Sequence, residues 1–196
     1  DPNDPVAASW PANPTLVSGA ANAWAPMSAD EALDLLYVPT SSPSPDYYGA
    51  ARPGDNRYGN SLVALNITTG EVAWHFQFVH HEVWNFDTPT APIQLDLTVD
   101  GREIPAVIQA TKQGWLYTFN RLTGEPVWPI VERSVPPSIV PGEVLSPTQP
   151  HVTWPEPYSM QGISEDDLVD FTPELKAQAL EAMEDYVMGG LFNPPI

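Results

Sequence analysis

Ala64-Leu65-Asn66-Ile67-Thr68-Thr69-Gly70-Glu71-Val72-Ala73-Trp74 returns 54 positions later as Thr118-Phe119-Asn120-Arg121-Leu122-Thr123-Gly124-Glu125-Pro126-Val127-Trp128. Asn, Thr, Gly, Glu and Trp recur in register. Self-similarity at roughly 40–50 residues, built from short strands and Gly turns, is the signature of a β-propeller. In each copy an apolar strand ends at Asn, Thr-Gly makes a tight turn with Gly free to take positive φ, and a second strand delivers Trp. An indole four residues past the turn can pack against the neighbouring blade, which makes the phrase a tryptophan docking motif. Two unrelated hairpins with similar turns are the competing reading. The expected fold is therefore all-β, a partial propeller.

Two or three blades of about 50 residues cannot close a ring that needs at least four, and an open array exposes sheet faces and edges. The 196-residue chain, which starts at Asp1 and ends at Ile196, is accordingly read as an internal piece of a longer protein. Seven basic residues stand against 25 acidic ones, a net charge of −18. Nucleic acid is excluded as a partner, because phosphate contacts need Lys and Arg. With no Cys in the chain, disulfides, thiolate catalysis and zinc–thiolate sites fall away together. No apolar run approaches the ~18–20 residues that span a bilayer.

Residues 1–21 are rich in Pro and Asn and read as loop. Strands are expected at Leu33–Pro39, Ser61–Asn66, Val72–Phe78, Pro92–Val99, Ile104–Ala110 and Trp115–Asn120, with Asp100-Gly101 as a hairpin turn. After Trp128 the character changes. Residues 1–132 read as propeller blades, and 133–196 as a Pro-rich excursion and helical insertion of the same domain, packed across it. The helix has Thr172 as N-cap, Pro173 at its first position and Glu174 in its first turn. Leu175, Ala179, Met183, Tyr186 and Val187 make its apolar stripe, and Gly189-Gly190 are expected to end it.

Three segments could carry chemistry. His80-His81-Glu82-Val83-Trp84-Asn85-Phe86-Asp87 places two imidazoles, two carboxylates, a carboxamide and two aromatics within eight residues, after the second strand of the first repeat. Such density at a strand end points to a site, although the polar groups could instead satisfy loop backbone. Adjacent histidines point apart in an extended chain, which disfavours joint metal binding. Lys112, the only Lys in the first 175 residues, sits between strands beside Trp115. It is either a surface charge or the grip for an anionic or carbonyl-bearing ligand. Trp24, within Asn22-Ala23-Trp24-Ala25-Pro26, can stack on a planar ligand or belong to the core.

Read together, Asn-x-Trp-Ala-Pro, Asp-Leu-x-Tyr-x-Pro, Ser-x-x-Ala-Leu-Asn-x-x-Thr-Gly, His-His-x-x-Trp, Ala-x-Lys-x-Gly and Ser146-Pro147-Thr148-Gln149-Pro150 resemble the PQQ-dependent dehydrogenases. The likeness covers nearly the whole chain, and is greatest to the membrane-associated glucose, polyol and quinate branch. The resemblance implies an eight-bladed periplasmic propeller, of which this chain supplies two to three blades. It implies PQQ in the central channel with Ca²⁺, a sugar or other alcohol as substrate, and a respiratory quinone or other acceptor for the electrons. The remaining blades, and an anchor to the inner membrane, would belong to the parent chain.

By position in the resemblance, Trp24 supports the PQQ ring and Lys112 hydrogen-bonds its quinone oxygens. Ser44, or Ser42 if the gap is placed differently, falls where the family has a polar residue near the metal. His80 and His81 orient a carboxylate or contact substrate. The family's catalytic base is the Asp directly after the Trp of His-His-x-x-Trp, and here that position is Asn85. A carboxamide cannot take the hydroxyl proton, though its oxygen can ligate a hard cation. Asp87 is the substitute, as base, metal ligand or both, since residues two apart in an extended segment face the same side about 6–7 Å apart. Lanthanide-dependent relatives carry an extra Asp at that second position, so a lanthanide is the alternative to Ca²⁺. Glu82 is expected to be solvated, and Arg52, Asp55, Asn56 and Arg57 to fix their loop. The competing functional class is a propeller that has lost its base and serves as a binding or scaffolding module.

Overall fold

A computed structural model of the chain describes residues 6–12 and 19–196. Residues 1–5 and 13–18 of the expected N-terminal loop lie outside the described residues. Two antiparallel sheets dominate. The first is a four-stranded meander of β2 (Ser28–Asp30), β3 (Leu35–Pro39), β5 (Ser61–Asn66) and β6 (Val72–Gln77). The second contains β7 (Ile93–Val99), β8 (Arg102–Ala110) and β9 (Leu116–Asn120), and a bridge from Phe119 to Pro126 begins a fourth strand. Short β1 (Gly19–Ala20) and β4 (Pro43–Ser44) pair with each other outside these sheets. Six strands fall within a residue or two of their expected bounds. The two main sheets are the consecutive blades that the repeat implies, and neither closes on itself.

Alternation decides which faces meet. Tyr37, Leu62 and Ala64 are fully buried on one face of the first sheet, as are Val107, Tyr117 and Phe119 on the second. Phe76 and Phe119 lie 5.1 Å apart between ring centroids, and Phe78 and Tyr117 4.5 Å, so aromatic contacts run along the seam. Both copies of the repeat build the same turn. Gly70 and Gly124 each have φ +74, each donates its N–H to the Asn four residues back, and that Asn's Oδ1 accepts from the Thr amide. Trp74 of the first copy then seats on the second. Its Nε1 donates to Arg121 O at 3.2 Å, and a Cβ on Gly124 would lie 2.6 Å from the indole.

Arg121 stands where the first copy has Ile67, and adds a cross-blade tie. Its guanidinium meets Asp30 on the first sheet and Asp96 on the second, both at 2.8 Å. Beyond the blades, β10 (Ile130–Ser134) and β11 (Thr148–Val152) form an antiparallel ribbon, with Ile130, Val135 and Val152 against the aromatic seam. The Pro-rich excursion is thus ordered by packing on the blades. Helix α1 runs Pro173–Met183 with Thr172 as N-cap, its Oγ1 accepting from Leu175 N.

The expected end of that helix is wrong. It stops at Met183, and Gly189–Gly190 form β13, paired with β12 (Gly162–Ile163). Tyr186 and Val187 therefore lie beyond the helix and are exposed, and no residue of α1 is buried. Its stripe is not packed into a core among the described residues. Among the described residues, no helix is long and apolar enough to cross a membrane.

Candidate functional site

The stretch 80–87 follows β6 and is irregular throughout. His81 and Asn85 take left-handed backbone, φ +47 and +58. Such values need outside support in residues that carry a Cβ. Gln149 supplies part of it. Its buried side-chain amide accepts from His80 N and donates to His80 O, both at 2.8 Å, in the manner of a strand partner. The histidines diverge, because His81 is left-handed rather than because the segment is extended. His80 Nε2 meets Glu132 at 3.0 Å. His81 is buried, its Nε2 2.8 Å from Glu143 and its Nδ1 2.8 Å from Gly54 O. Glu143 also accepts from Gly49 N. Both rings thus tie the site loop to the excursion and to the loop before β5.

Asp87 and Lys112 meet at the far end of this loop. Lys112 Nζ lies 2.7 Å from Asp87 Oδ2 and 3.0 Å from Asn85 O. The other oxygen of Asp87 accepts from Ser42 N at 3.0 Å. The Asp87 side chain is 14 % exposed and that of Lys112 39 %. An ammonium has three N–H donors, so one remains to meet a ligand. The premise that Asn85 and Asp87 face the same side of an extended segment fails, again because Asn85 is left-handed. Its Nδ2 reaches Tyr47 OH at 3.4 Å, and its Oδ1 makes no hydrogen bond among the described residues.

Ser44 lies in β4 opposite Gly19, while Ser42 is the serine bonded to Asp87. The segment carrying Trp24 is laced to the same stretch. Ala21 N donates to Ser42 O, and Ser41 N to Asn22 O. Trp24 itself is 57 % exposed and lies outside the core. Asp87, Lys112, Ser42 and the backbone of Asn85 thus converge, with Trp24 on an adjoining loop.

Glu82 corrects the sequence reading most sharply. Expected in solvent, it is 1 % exposed. Its Oε2 accepts from Asn60 Nδ2 at 3.1 Å and its Oε1 from Trp84 N. Burial pushes its carboxyl up to about 7, against the backbone hydrogen bonds of Trp84 and Phe86 and the charge of Arg52, while the nearby Asp87 pushes it further up. Arg52, fully buried, bonds Asn56 Oδ1, Pro45 O and Glu82 O, which is the loop-fixing role expected of it. Asn60 and Glu143 were not singled out by the sequence, and Gln149 entered only as part of the Ser146–Pro150 motif, with no role.

A hard cation takes six to eight oxygen ligands when it is Ca²⁺. Asn85 Oδ1 and the Asp87 carboxylate are donors of the right kind but few in number. No group of three or more His, Asp or Glu side chains able to hold a metal occurs among the described residues. For a planar dione the fit is better: an exposed indole, and a lysine with a donor to spare.

Over residues 1–196 the sequence matches the family described as "PQQ: Glucose/ethanol/alcohol dehydrogenase, beta-propeller domain". It is 38 % identical over 182 residues to the glycerol dehydrogenase large subunit of Gluconobacter oxydans, a match covering 90 % of this chain and 24 % of the relative. It is 40 % identical over 137 residues to the quinoprotein glucose dehydrogenase of Escherichia coli, covering 69 % of this chain and 17 % of the relative. The chain thus spans a quarter or less of these relatives. Among solved structures, a europium-containing methanol dehydrogenase superposes with a TM-score of 0.55 at 30 % identity, covering 62 % of this chain and 22 % of that one.

Proposed function

The chain belongs to the PQQ-dependent glucose/ethanol/alcohol dehydrogenase β-propeller family, and from that premise we propose that the full-length protein oxidises a hydroxyl of a sugar, polyol or other alcohol. The observation that carries this reading is the Asp87–Lys112 pair at 2.7 Å, with Lys112 still partly exposed. When bound, PQQ supplies a two-electron acceptor. Trp24 would hold its ring, and the spare donor of Lys112 would hydrogen-bond a quinone oxygen.

Asp87 takes the hydroxyl proton in place of the residue at position 85. Its carboxylate is aimed by two donors, Lys112 Nζ and Ser42 N. Asn85 Oδ1 and the Asp87 carboxylate would be this chain's donors to a hard cation, Ca²⁺ or a lanthanide, and the remaining ligands would come from blades outside this chain. His80 and His81 hold the loop in place, and substrate contact by His80 is compatible with its partial exposure. The resemblance to the membrane-associated branch supports a periplasmic location and transfer of electrons to a respiratory quinone.

One observation favours a second reading, a propeller that binds without catalysing: Asn85 replaces the usual base, and both oxygens of Asp87 are already engaged. Dye reduction by the full-length protein with PQQ and Ca²⁺, across glucose, polyols, quinate and simple alcohols, separates the two. PQQ-dependent turnover supports the enzyme. Cofactor uptake with no turnover, in Ca²⁺ or in a lanthanide, supports the binding module. In either case Lys112→Ala should weaken PQQ binding roughly 10- to 100-fold, the loss of a charged hydrogen bond worth about 1.5–3 kcal/mol.

A further inference from the structure

Beneath Asp87 lies a buried polar bracket that the resemblance does not account for. Asn60 is wholly buried, with left-handed backbone at φ +48. Its Nδ2 faces three acceptors: Glu82 Oε2 at 3.1 Å, Ser42 Oγ at 3.0 Å and Phe86 O at 2.9 Å. Two of these lead directly to Asp87. Phe86 O belongs to the peptide that enters Asp87, and Ser42 donates its own N–H to Asp87 Oδ1. The third contact, to Glu82, fixes which way the Asn60 amide points. The groups facing the Glu82 carboxylate, Asn60 Nδ2 and the backbone amides of Trp84 and Phe86, are all donors. Only a side chain that accepts on both oxygens satisfies them.

We infer that Glu82 is a positioning residue for Asp87, acting through Asn60 on the Phe86–Asp87 peptide and on Ser42. The inference rests on the reading above that Asp87 takes the substrate proton. The bracket is internal to this chain, since every member is buried or half-buried within it. Its members come from β4's approach, the residue before β5 and the site loop, so it converts three separate segments into one rigid seat. Asn60 Oδ1 is buried without a partner among the described residues. The amide is thus held in its observed sense by acceptors on the Nδ2 side alone, and Glu82 is the one ionisable acceptor among them.

Glu82→Gln is the discriminating change. It keeps length and volume, yet places an NH₂ against either Trp84 N or Asn60 Nδ2. If Asn60 turns over to accept from it, Phe86 O is left facing a carbonyl oxygen. In the full-length protein, kcat should fall on the order of 10- to 100-fold, as for a misplacement of about 1 Å at a reacting group. KM and PQQ affinity by titration should stay within about 2-fold of wild type, and the thermal midpoint should not fall. Unchanged kcat overturns the inference. So does a parallel loss of kcat, cofactor affinity and thermal midpoint, which marks a merely structural residue.

Should Glu82→Gln fail to fold, Ser42→Ala takes its place. It removes one arm while leaving the backbone N–H on Asp87, so a loss of a few-fold in kcat at constant KM is expected, and none overturns the proposal. Were the wild-type protein to show no turnover at all, the functional reading alone would fail. The bracket would then be judged by a crystal structure of Glu82→Gln. A turned Asn60 amide with Phe86 O displaced upholds it, and an unmoved Asp87 seat overturns it.

Discussion

The repeat turns and the site loop both need left-handed backbone, and they obtain it differently. At Gly70 and Gly124 the chain uses glycine, with the same φ of +74 and the same Asn and Thr hydrogen bonds. Around the site, Asn60, His81 and Asn85 take φ of +48, +47 and +58 although each carries a side chain. Glycine makes such a turn at little steric cost, whereas a residue with a side chain, Asn and Asp least of all, is strained there unless its surroundings support it. The surroundings here are Gln149 on His80, Glu143 on His81, and Glu82 with Asn60. The repeat turns are thus self-sufficient and the site loop is held from outside. Changes in the first should act on folding, and changes in the second on chemistry.

The largest test of that division is Asp87→Asn in the full-length protein. A general base contributes about 10²- to 10⁴-fold, or roughly 3–5 kcal/mol. Turnover should drop by that much while PQQ binding and the thermal midpoint persist. Retained activity would remove Asp87 as the base, and lost folding would break the division itself. Gly124→Ala should do the reverse. The new Cβ would meet the Trp74 indole at 2.6 Å, adding overpacking of about 1–3 kcal/mol to a left-handed cost of about 1–2 kcal/mol. Denaturant unfolding should register a destabilisation of about 2–5 kcal/mol, with kcat of the surviving folded fraction unaltered.

The Glu82 carboxyl supplies a test of comparable size. Its value rises from 4.5 to about 7 through burial. Between those values the native state holds a proton that the unfolded state has lost. The stabilising contribution is therefore full below pH 4.5 and declines as pH climbs to 7, by about 3 kcal/mol at 1.36 kcal/mol per unit. Glu82→Gln should flatten that part of the stability–pH curve. An unchanged slope would mean that Glu82 is solvated after all.

What the sequence reveals follows the same line. The repeat turns were legible because their chemistry is local: Asn, Thr and Gly satisfy one another within five residues. Asp100-Gly101 was legible for the same reason, with φ of +49 and +76 at its tip, and so was Thr172 as an N-cap. The end of α1 was not, because Gly189-Gly190 answer to Gly162-Ile163, far back in the chain. Glu82 read as solvated because nothing near it in sequence announces Asn60 or Arg52. Likewise His81 meets Glu143 62 residues on. Lys112 was singled out through the resemblance and Asp87 through its spacing from Asn85, and their 2.7 Å contact was read from neither, because 25 residues separate them.

Gly70→Ala is the smallest change and sharpens the comparison most. Gly70 has the same φ as Gly124, yet a Cβ built on it meets no atom within 4 Å. In this chain the substitution should cost only the left-handed backbone term, about 1–2 kcal/mol. The excess cost of Gly124→Ala over Gly70→Ala then isolates the seating of Trp74 on the following turn, free of the shared backbone penalty. In the full-length protein the expectation changes if another blade presents an indole to Gly70 as Trp74 does to Gly124. The two glycines should then become equally intolerant. Equal costs in the present chain would instead show that the penalty is all backbone and that the indole moves aside freely, which would leave Trp74 as packing material rather than as the tie between blades.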